Sequence, residues 1–221
     1  MGCLTEVREY LDAEGNSPYA KWFDRLNVAA AVKVRTAVHR MEQGNFSNVK
    51  GVGAGVYEYR IDFGPGYRIY FGKDGDRLVI LLAGGTKKHQ DADVAAAKGH
   101  WRDYKRRKTA RGVTMALTKD FKDTIQARTQ RDPAFRKALL QEGVECLLAG
   151  DVDTGKAVLR DYINATIGFE ELSRVFDKSS KSLMRMFGPK GNPQASNLFA
   201  VIHYLQEQEG IHLEVKARKV A

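Results

Sequence analysis

The chain has 221 residues, 43% of them hydrophobic and 29% charged, with two cysteines and a formal net charge of +9. That length suits two domains of about 100 residues, each able to bury a core. Two cysteines exclude a disulfide framework, and no apolar run reaches the roughly 18–20 residues of a membrane span. The opening MGCLTEVREYLDAEG carries acids and no apolar stretch, so it is not read as a secretory signal. The expectation is a cytoplasmic protein with reduced thiols at Cys3 and Cys146, the latter a small core residue. The basic excess, heavier in residues 1–108, favours nucleic acid or another polyanion as partner.

In chain order, residues 3–11 read as a short strand. Asn16-Ser17-Pro18 then marks a helix start, with Ser17 as N-cap and Pro18 at the first helical position. Trp22, Phe23 and Leu26 share one face of that helix. Val32, Val34, Val38 and Met41 recur at helical spacing over 28–43, which completes a helical hairpin ending at Gly44. The period then changes. Residues 56–61 alternate as a strand, Gly64-Pro65-Gly66 is a turn, 67–71 is a second strand, Asp74-Gly75-Asp76 a second turn, and 78–83 a third strand. A helix over 90–104 closes the unit. The expected order is β-α-α-β-β-β-α, an α+β domain over 1–107 with an antiparallel sheet. Lys105-Arg106-Arg107-Lys108 and the residues to Gly112 lack apolar periodicity, so a linker is predicted over 108–114, and Met115 reads as the start of a second coding unit. Residues 115–221 read as all-α, with helices over 119–129, 133–149 (capped by Asp132, stopped by Gly150), 153–167, 169–176, 179–187 and 195–209. A short strand over 211–215 is the one exception considered.

The chemistry in the first half is cationic. Metal-free RNA cleavage needs a deprotonated 2′-hydroxyl, a stabilised phosphorane and a protonated leaving oxygen. Arginine suits the charge role because it donates bidentately to phosphate. Arg60 and Arg68 flank one turn on adjacent strands and would form a phosphate clamp if they share a face. Lys50 lies just upstream, and Lys87, Lys88 and His89 follow the third strand with further cations and a titratable ring. The ordinary reading of each is structural: Arg60 paired with Glu58 or Asp62, Arg68 with an acid of the helical hairpin, and 87–89 a solvated loop. No motif calls for a metal or a cofactor.

In the second half, residues 169–176, a turn at Asp177-Lys178-Ser179 and residues 180–187 fit a helix-turn-helix. Leu172, Phe176, Leu183 and Phe187 would be core. Ser179, Ser180, Lys181, Ser182 and Arg185 would face DNA, with Lys190 near phosphate. A plain helical hairpin gives the same pattern.

Lys50-Gly51, VYEYRIDFGPGYRIYF (56–71) and LLAGGTKKHQDADVAAAK (81–98) together resemble the HigB-type branch of the RelE/ParE toxin superfamily, in its phage-type subgroup. The resemblance covers about 1–106. It implies a RelE-like fold and endonucleolytic cleavage of mRNA at the ribosome. It carries the catalytic positions onto Lys50, Arg60 and Arg68, and more loosely onto Lys87, Lys88 and His89, since a helix follows the last strand where the family often ends. Residues 147–206 are similar to the HigA-like antitoxins that bind such toxins, dimerise and repress their own operon. The chain as a whole then reads as a type II toxin–antitoxin pair in one polypeptide, a latent mRNA endoribonuclease held by its own DNA-binding antitoxin. Its expected partners are mRNA on the ribosome, operator DNA and further copies of the chain, and no membrane. A linker of about eight residues extends at most roughly 28 Å, so the restraining contact is expected either within one chain or between neighbouring chains. The alternatives are a non-enzymatic DNA-binding transcriptional regulator and a gyrase-directed toxin.

Overall fold

A computed structural model describes residues 5–76, 78–110 and 116–216; Cys3, residues 111–114 of the expected linker and Met115 lie outside them. The chain divides into two compact units, 1–135 and 136–221. The first is an α+β unit and the second is helical.

The first unit is built on a six-stranded sheet. Its strands are β1 (Glu6–Tyr10), β2 (Val49–Gly53), β3 (Val56–Ile61), β4 (Tyr67–Asp74), β5 (Leu78–Thr86) and β6 (Thr118–Asp120), in the spatial order β2-β3-β4-β5-β1-β6. Two strands go beyond the expected order, β2 before the meander and β6 after the last helix. The sheet also departs from a fully antiparallel one, because β5 returns beside β1 in parallel, with Val7 opposite Val79 and Glu9 opposite Leu81.

Helices α1 (Pro18–Arg25) and α2 (Val28–Glu42) form the expected hairpin. The Ser17 hydroxyl accepts from the Ala20 amide, Pro18 opens the first turn, and the Asn27 side chain accepts from the Ala30 amide. Tyr19, Phe23, Val34, Val38 and Met41 are buried on one side of the sheet. Helix α3 (Gln90–Thr109) covers the other side, where Ala97, Trp101 and Tyr104 pack with Val56, Tyr70, Ile80 and Leu82. The Gly84-Gly85 pair serves both layers. A Cβ at Gly84 would run into Trp22 of α1, and one at Gly85 into Asp93 of α3, so only glycine admits both close approaches.

The basic run at 105–109 belongs to α3 and is not linker. Its cations stand in the last turns, where the helix dipole favours positive charge, and they have partners: Arg107 donates to the Leu11 carbonyl at 2.7 Å, and Lys108 reaches Asp74 at 2.5 Å. Those partners lie 96 and 34 residues away in sequence, which is why the run read as unpaired linker charge.

Residues 118–135, assigned from sequence to the second half, complete the first unit. β6 adds to the β1 edge in antiparallel register, with Lys119 opposite Glu9. Helix α4 (Phe121–Arg131), capped by the Asp120 side chain, then buries Phe121 edge-on against Tyr19 and Phe23. Arg128 is buried above the Phe23 and Phe135 rings and donates to the carbonyls of Phe23 (2.5 Å) and Leu26 (2.7 Å). The seam between compact units therefore follows Phe135, inside the next helix, α5 (Pro133–Leu148), and does not fall at 108–114.

Under this strand and helix lies Glu9, fully buried, with Lys119 3.3 Å away and Ser17 and Thr124 facing it. Burial raises its carboxyl above the ordinary range, and those three neighbours only partly offset the shift. A raised carboxyl is a net cost once ionised, with stability lost as pH rises through its folded value. Glu9→Gln is accordingly expected to raise the melting temperature of the first unit at pH 7, with the gain shrinking towards zero below about pH 4.5, the reference value for a glutamate. Thermal melts at the two pH values check this; a variant less stable at pH 7 means that the Lys119 pair outweighs desolvation.

The second unit contains α5 (Pro133–Leu148), α6 (Val152–Ala165), α7 (Gly168–Phe176), α8 (Ser180–Met186) and α9 (Ala195–Glu209). Leu139, Leu140, Leu159, Tyr162, Leu172, Leu183, Phe187, Val201 and Leu205 form its core, and Cys146 is buried and unbridged. Gly150 stops α5 with a left-handed φ of 79°. Residues 211–216 follow α9 without forming the strand considered for 211–215. Among the described residues no helix is long and apolar enough to cross a membrane.

Candidate functional site

The cations of the first unit meet on the α3 side of the sheet. Arg60 and Arg68 are direct cross-strand partners, so their side chains leave the same face about 5 Å apart at the backbone. Lys50 pairs with Glu58, which stands two residues before Arg60 and shares that face. Arg68 in turn pairs with Gly85 near the end of β5, and a 3₁₀ turn over Lys87–His89 follows at once. The Lys87 amide donates to the Gly66 carbonyl at 3.2 Å, which fixes this turn beside the Gly64-Pro65-Gly66 loop. Lys50, Arg60, Lys87, Lys88 and His89 are exposed, whereas Arg68 is mostly buried. All six sequence-predicted residues thus lie at one end of one sheet face: the arginine pair on adjacent strands, the three residues of the strand-end turn next to it, and Lys50 at the outer edge.

Four residues of this face were not singled out as site residues from sequence. Glu58 is 3% exposed and sits 3.5 Å from Arg68 Nε. Gln90, the first residue of α3, donates to the same Glu58 oxygen at 2.9 Å. Tyr70 is wholly buried with its hydroxyl unpartnered. Burial, aided by the charges of Glu58 and Asp93, pushes its pKa up to about 12, so it stays a neutral donor. One Asp93 oxygen is also buried and unpartnered; burial raises that carboxyl while His89 nearby pulls it back. Strand parity was the signal available for Glu58 and Tyr70, since both share the face of Arg60 and Arg68. What the face can do chemically is bind phosphate through two guanidinium groups, with lysines and a histidine within the same rim.

In the second unit, α7 and α8 are joined by a turn in which Asp177 takes a left-handed conformation, φ 46°. The Ser179 side chain caps α8 by accepting from the Ser182 amide. Ser179 therefore acts first as a cap. Ser180, Lys181, Ser182 and Arg185 stand along α8, with Lys181 and Arg185 exposed. Leu172, Leu183 and Phe187 are core as expected, but Phe176 is only half-buried, set edge-on to Tyr204. A shallow groove of about 260 Å³ runs between α8, the loop 188–194 and the start of α9, and brings together Lys178, Ser182, Arg185 and Lys190 with the amides of Asn192 and Asn197. The buried Lys156 anchors that loop by donating to the Gly191 carbonyl at 2.7 Å. Neither Lys156 nor the two asparagines were legible as part of this surface, because the loop's docking is a tertiary contact.

An α+β module with a cationic sheet face, continued by a helical unit with a basic groove, is the class these features define. The chain belongs to the phage-derived Gp49-like protein family, whose description matches residues 21–99. An uncharacterized protein of Haemophilus influenzae is 42% identical over 81 residues, which is 36% of this chain and 82% of that protein. No solved structure matches the chain. The family match ends inside α3 and leaves β6, α4 and the whole second unit outside it.

Proposed function

We propose that this chain is a type II toxin–antitoxin pair in one polypeptide: a latent, metal-independent mRNA endoribonuclease acting on the ribosome in the cytoplasm, joined to a HigA-like antitoxin that restrains it and represses its operon by binding operator DNA. Membership of the Gp49-like family is consistent with the toxin of such a module. The observation that carries the reading is the Arg60–Arg68 cross-strand pair beside the Lys87–His89 turn. Two guanidinium groups on one rigid sheet can hold the scissile phosphate and stabilise the charge of a phosphorane. Lys50, Lys87 and Lys88 extend the field along the RNA backbone, and His89 brings an imidazole to the same rim.

The strand and helix at 118–131 lie on the β1 edge and on the α1–α2 side of the sheet, away from the arginine pair. They therefore complete the fold of the toxin unit without covering its basic face. The active fragment to test is 1–135, and not 1–107. Induced alone, it is expected to arrest growth and cut mRNA at discrete positions seen by mapping transcript ends during in-vitro translation, whereas the full chain does neither. Arrest without mRNA cuts, accompanied by DNA-damage signalling, would point to gyrase. Arrest that survives Arg60→Ala with Arg68→Ala removes the sheet face from the mechanism, and a harmless 1–135 fragment leaves a non-enzymatic regulator.

For the second unit, Arg185→Ala and Lys190→Ala are each expected to weaken binding of the chain's own promoter fragment and to reduce the slope of log K against log salt by about one. Filter binding across a salt series reads both; unchanged slopes place the DNA elsewhere.

A further inference from the structure

We infer that Glu58 is a positioning residue that locks Arg68 and the Lys87–His89 turn into one arrangement, an inference that rests on the reading of this face as the RNA-cleaving site. Arg60 and Arg68 stand directly opposite each other, a placement in which like charges repel. The Glu58 carboxylate, on the same face two residues along β3, is the buried negative charge that offsets them. One of its oxygens, Oε2, does two jobs. It lies 3.5 Å from Arg68 Nε and accepts the Gln90 side-chain amide at 2.9 Å.

Arg68 turns the buried Nε edge of its guanidinium to Glu58 in an ion pair at 3.5 Å, without a hydrogen bond at Nε. A terminal nitrogen reaches towards the Gly66 carbonyl at 3.4 Å, in the loop to which the Lys87 amide is also bonded. The fork end is thereby held at this loop, with 11% of the side chain exposed. Gln90 follows the basic turn without a break, so its bond to Glu58 registers Lys87, Lys88 and His89 against Arg68. Gly85 belongs to the same device: lacking a Cβ, it lets Asp93 of the first turn of α3 come down onto the sheet next to Arg68. With Oε2 engaged twice and the side chain 3% exposed, Glu58 is placed to orient the cations and not to meet the RNA.

The test uses the compact 1–135 unit, free of the second unit that restrains the full chain, ¹⁵N-labelled, with the arginine Nε–Hε signals observed by NMR and the Arg68 signal assigned by its absence in Arg68→Lys. The probe is an uncleavable 2′-O-methyl RNA hexamer. In the unsubstituted protein the Arg68 signal is expected to exchange slowly with water, and the Arg60 and Arg68 signals to shift as RNA is added. Glu58→Gln keeps the shape and removes the charge; it is expected to move and broaden the Arg68 signal and to weaken the affinity read there about tenfold, the scale of one charge-assisted hydrogen bond. Gln90→Ala, which leaves the buried carboxylate in place and keeps the test open if Glu58→Gln does not fold, is expected to shift the backbone amides of Lys87–His89 together with the Arg68 signal. An Arg68 signal and an RNA titration unchanged in both variants overturn the inference. Arginine signals that ignore RNA in the unsubstituted protein, while Glu58→Gln still moves Arg68, overturn instead the reading of the face as an RNA site.

Discussion

Phe121→Ala is expected to lower the stability of the first unit by about 3–5 kcal/mol, the range for truncating a fully buried phenylalanine. The ring has no exposed surface, contacts Tyr19 and Phe23 edge-on, and lies under the Arg35 guanidinium at 5.8 Å. Urea unfolding of the full chain, followed by a probe in the first unit, measures the change; a loss under about 0.5 kcal/mol, the scale of a surface substitution, would mean that α4 is a loosely attached appendage. The same logic sets the fate of a chain cut after Ala110. It loses Phe121 and both carbonyl bonds from Arg128, uncovers the β1 edge to other strands, and takes Lys119 away from the buried Glu9. That fragment is expected to aggregate or to unfold without a cooperative transition, while 1–135 unfolds cooperatively. A null growth assay with a 1–107 fragment would therefore report on folding and not on activity.

Local signals in the sequence reached far where they were complete. Ser17-Pro18 with the spacing of Val34, Val38 and Met41 specified the helical hairpin, and the tight turn at 64–66 forced Arg60 opposite Arg68. The failures share one cause. β6 has three residues, too short to show a period, and its strand character comes from the β1 edge it covers. The 105–109 run is helical because Leu11 and Asp74 receive its cations. Glu58 reads as a surface acid between two tyrosines until α3 closes over it with Gln90. No local signal marks Arg128, which Phe23 and Phe135 sandwich. In each case the deciding partner lies far along the chain. The division into an α+β part and a helical part was legible from the change of period. The position of the seam was not, because composition marks a run of charge while compactness depends on where Phe121 and Arg128 pack.

Arg60 and Arg68 are expected to separate when each is replaced by alanine in the 1–135 fragment. Both losses should lower mRNA cleavage about 100- to 1,000-fold, the scale for removing one preorganised donor to a developing oxyanion. Their effects on folding should differ. Arg60 is exposed, with no partner whose burial depends on it, so Arg60→Ala should change stability by no more than about 0.5 kcal/mol. Arg68 neutralises a carboxylate that is 3% exposed, so Arg68→Ala leaves Glu58 buried and uncompensated at about 3–5 kcal/mol. Adding Glu58→Gln to Arg68→Ala should return part of that stability and none of the cleavage. Arg68→Lys keeps the charge but not the planar fork, so it should fold better than Arg68→Ala and cleave little faster. Transcript-end mapping and urea unfolding on the same preparations read the two axes independently. Full cleavage by Arg60→Ala would break the paired clamp and leave Arg68 as the single phosphate-binding arginine of the face.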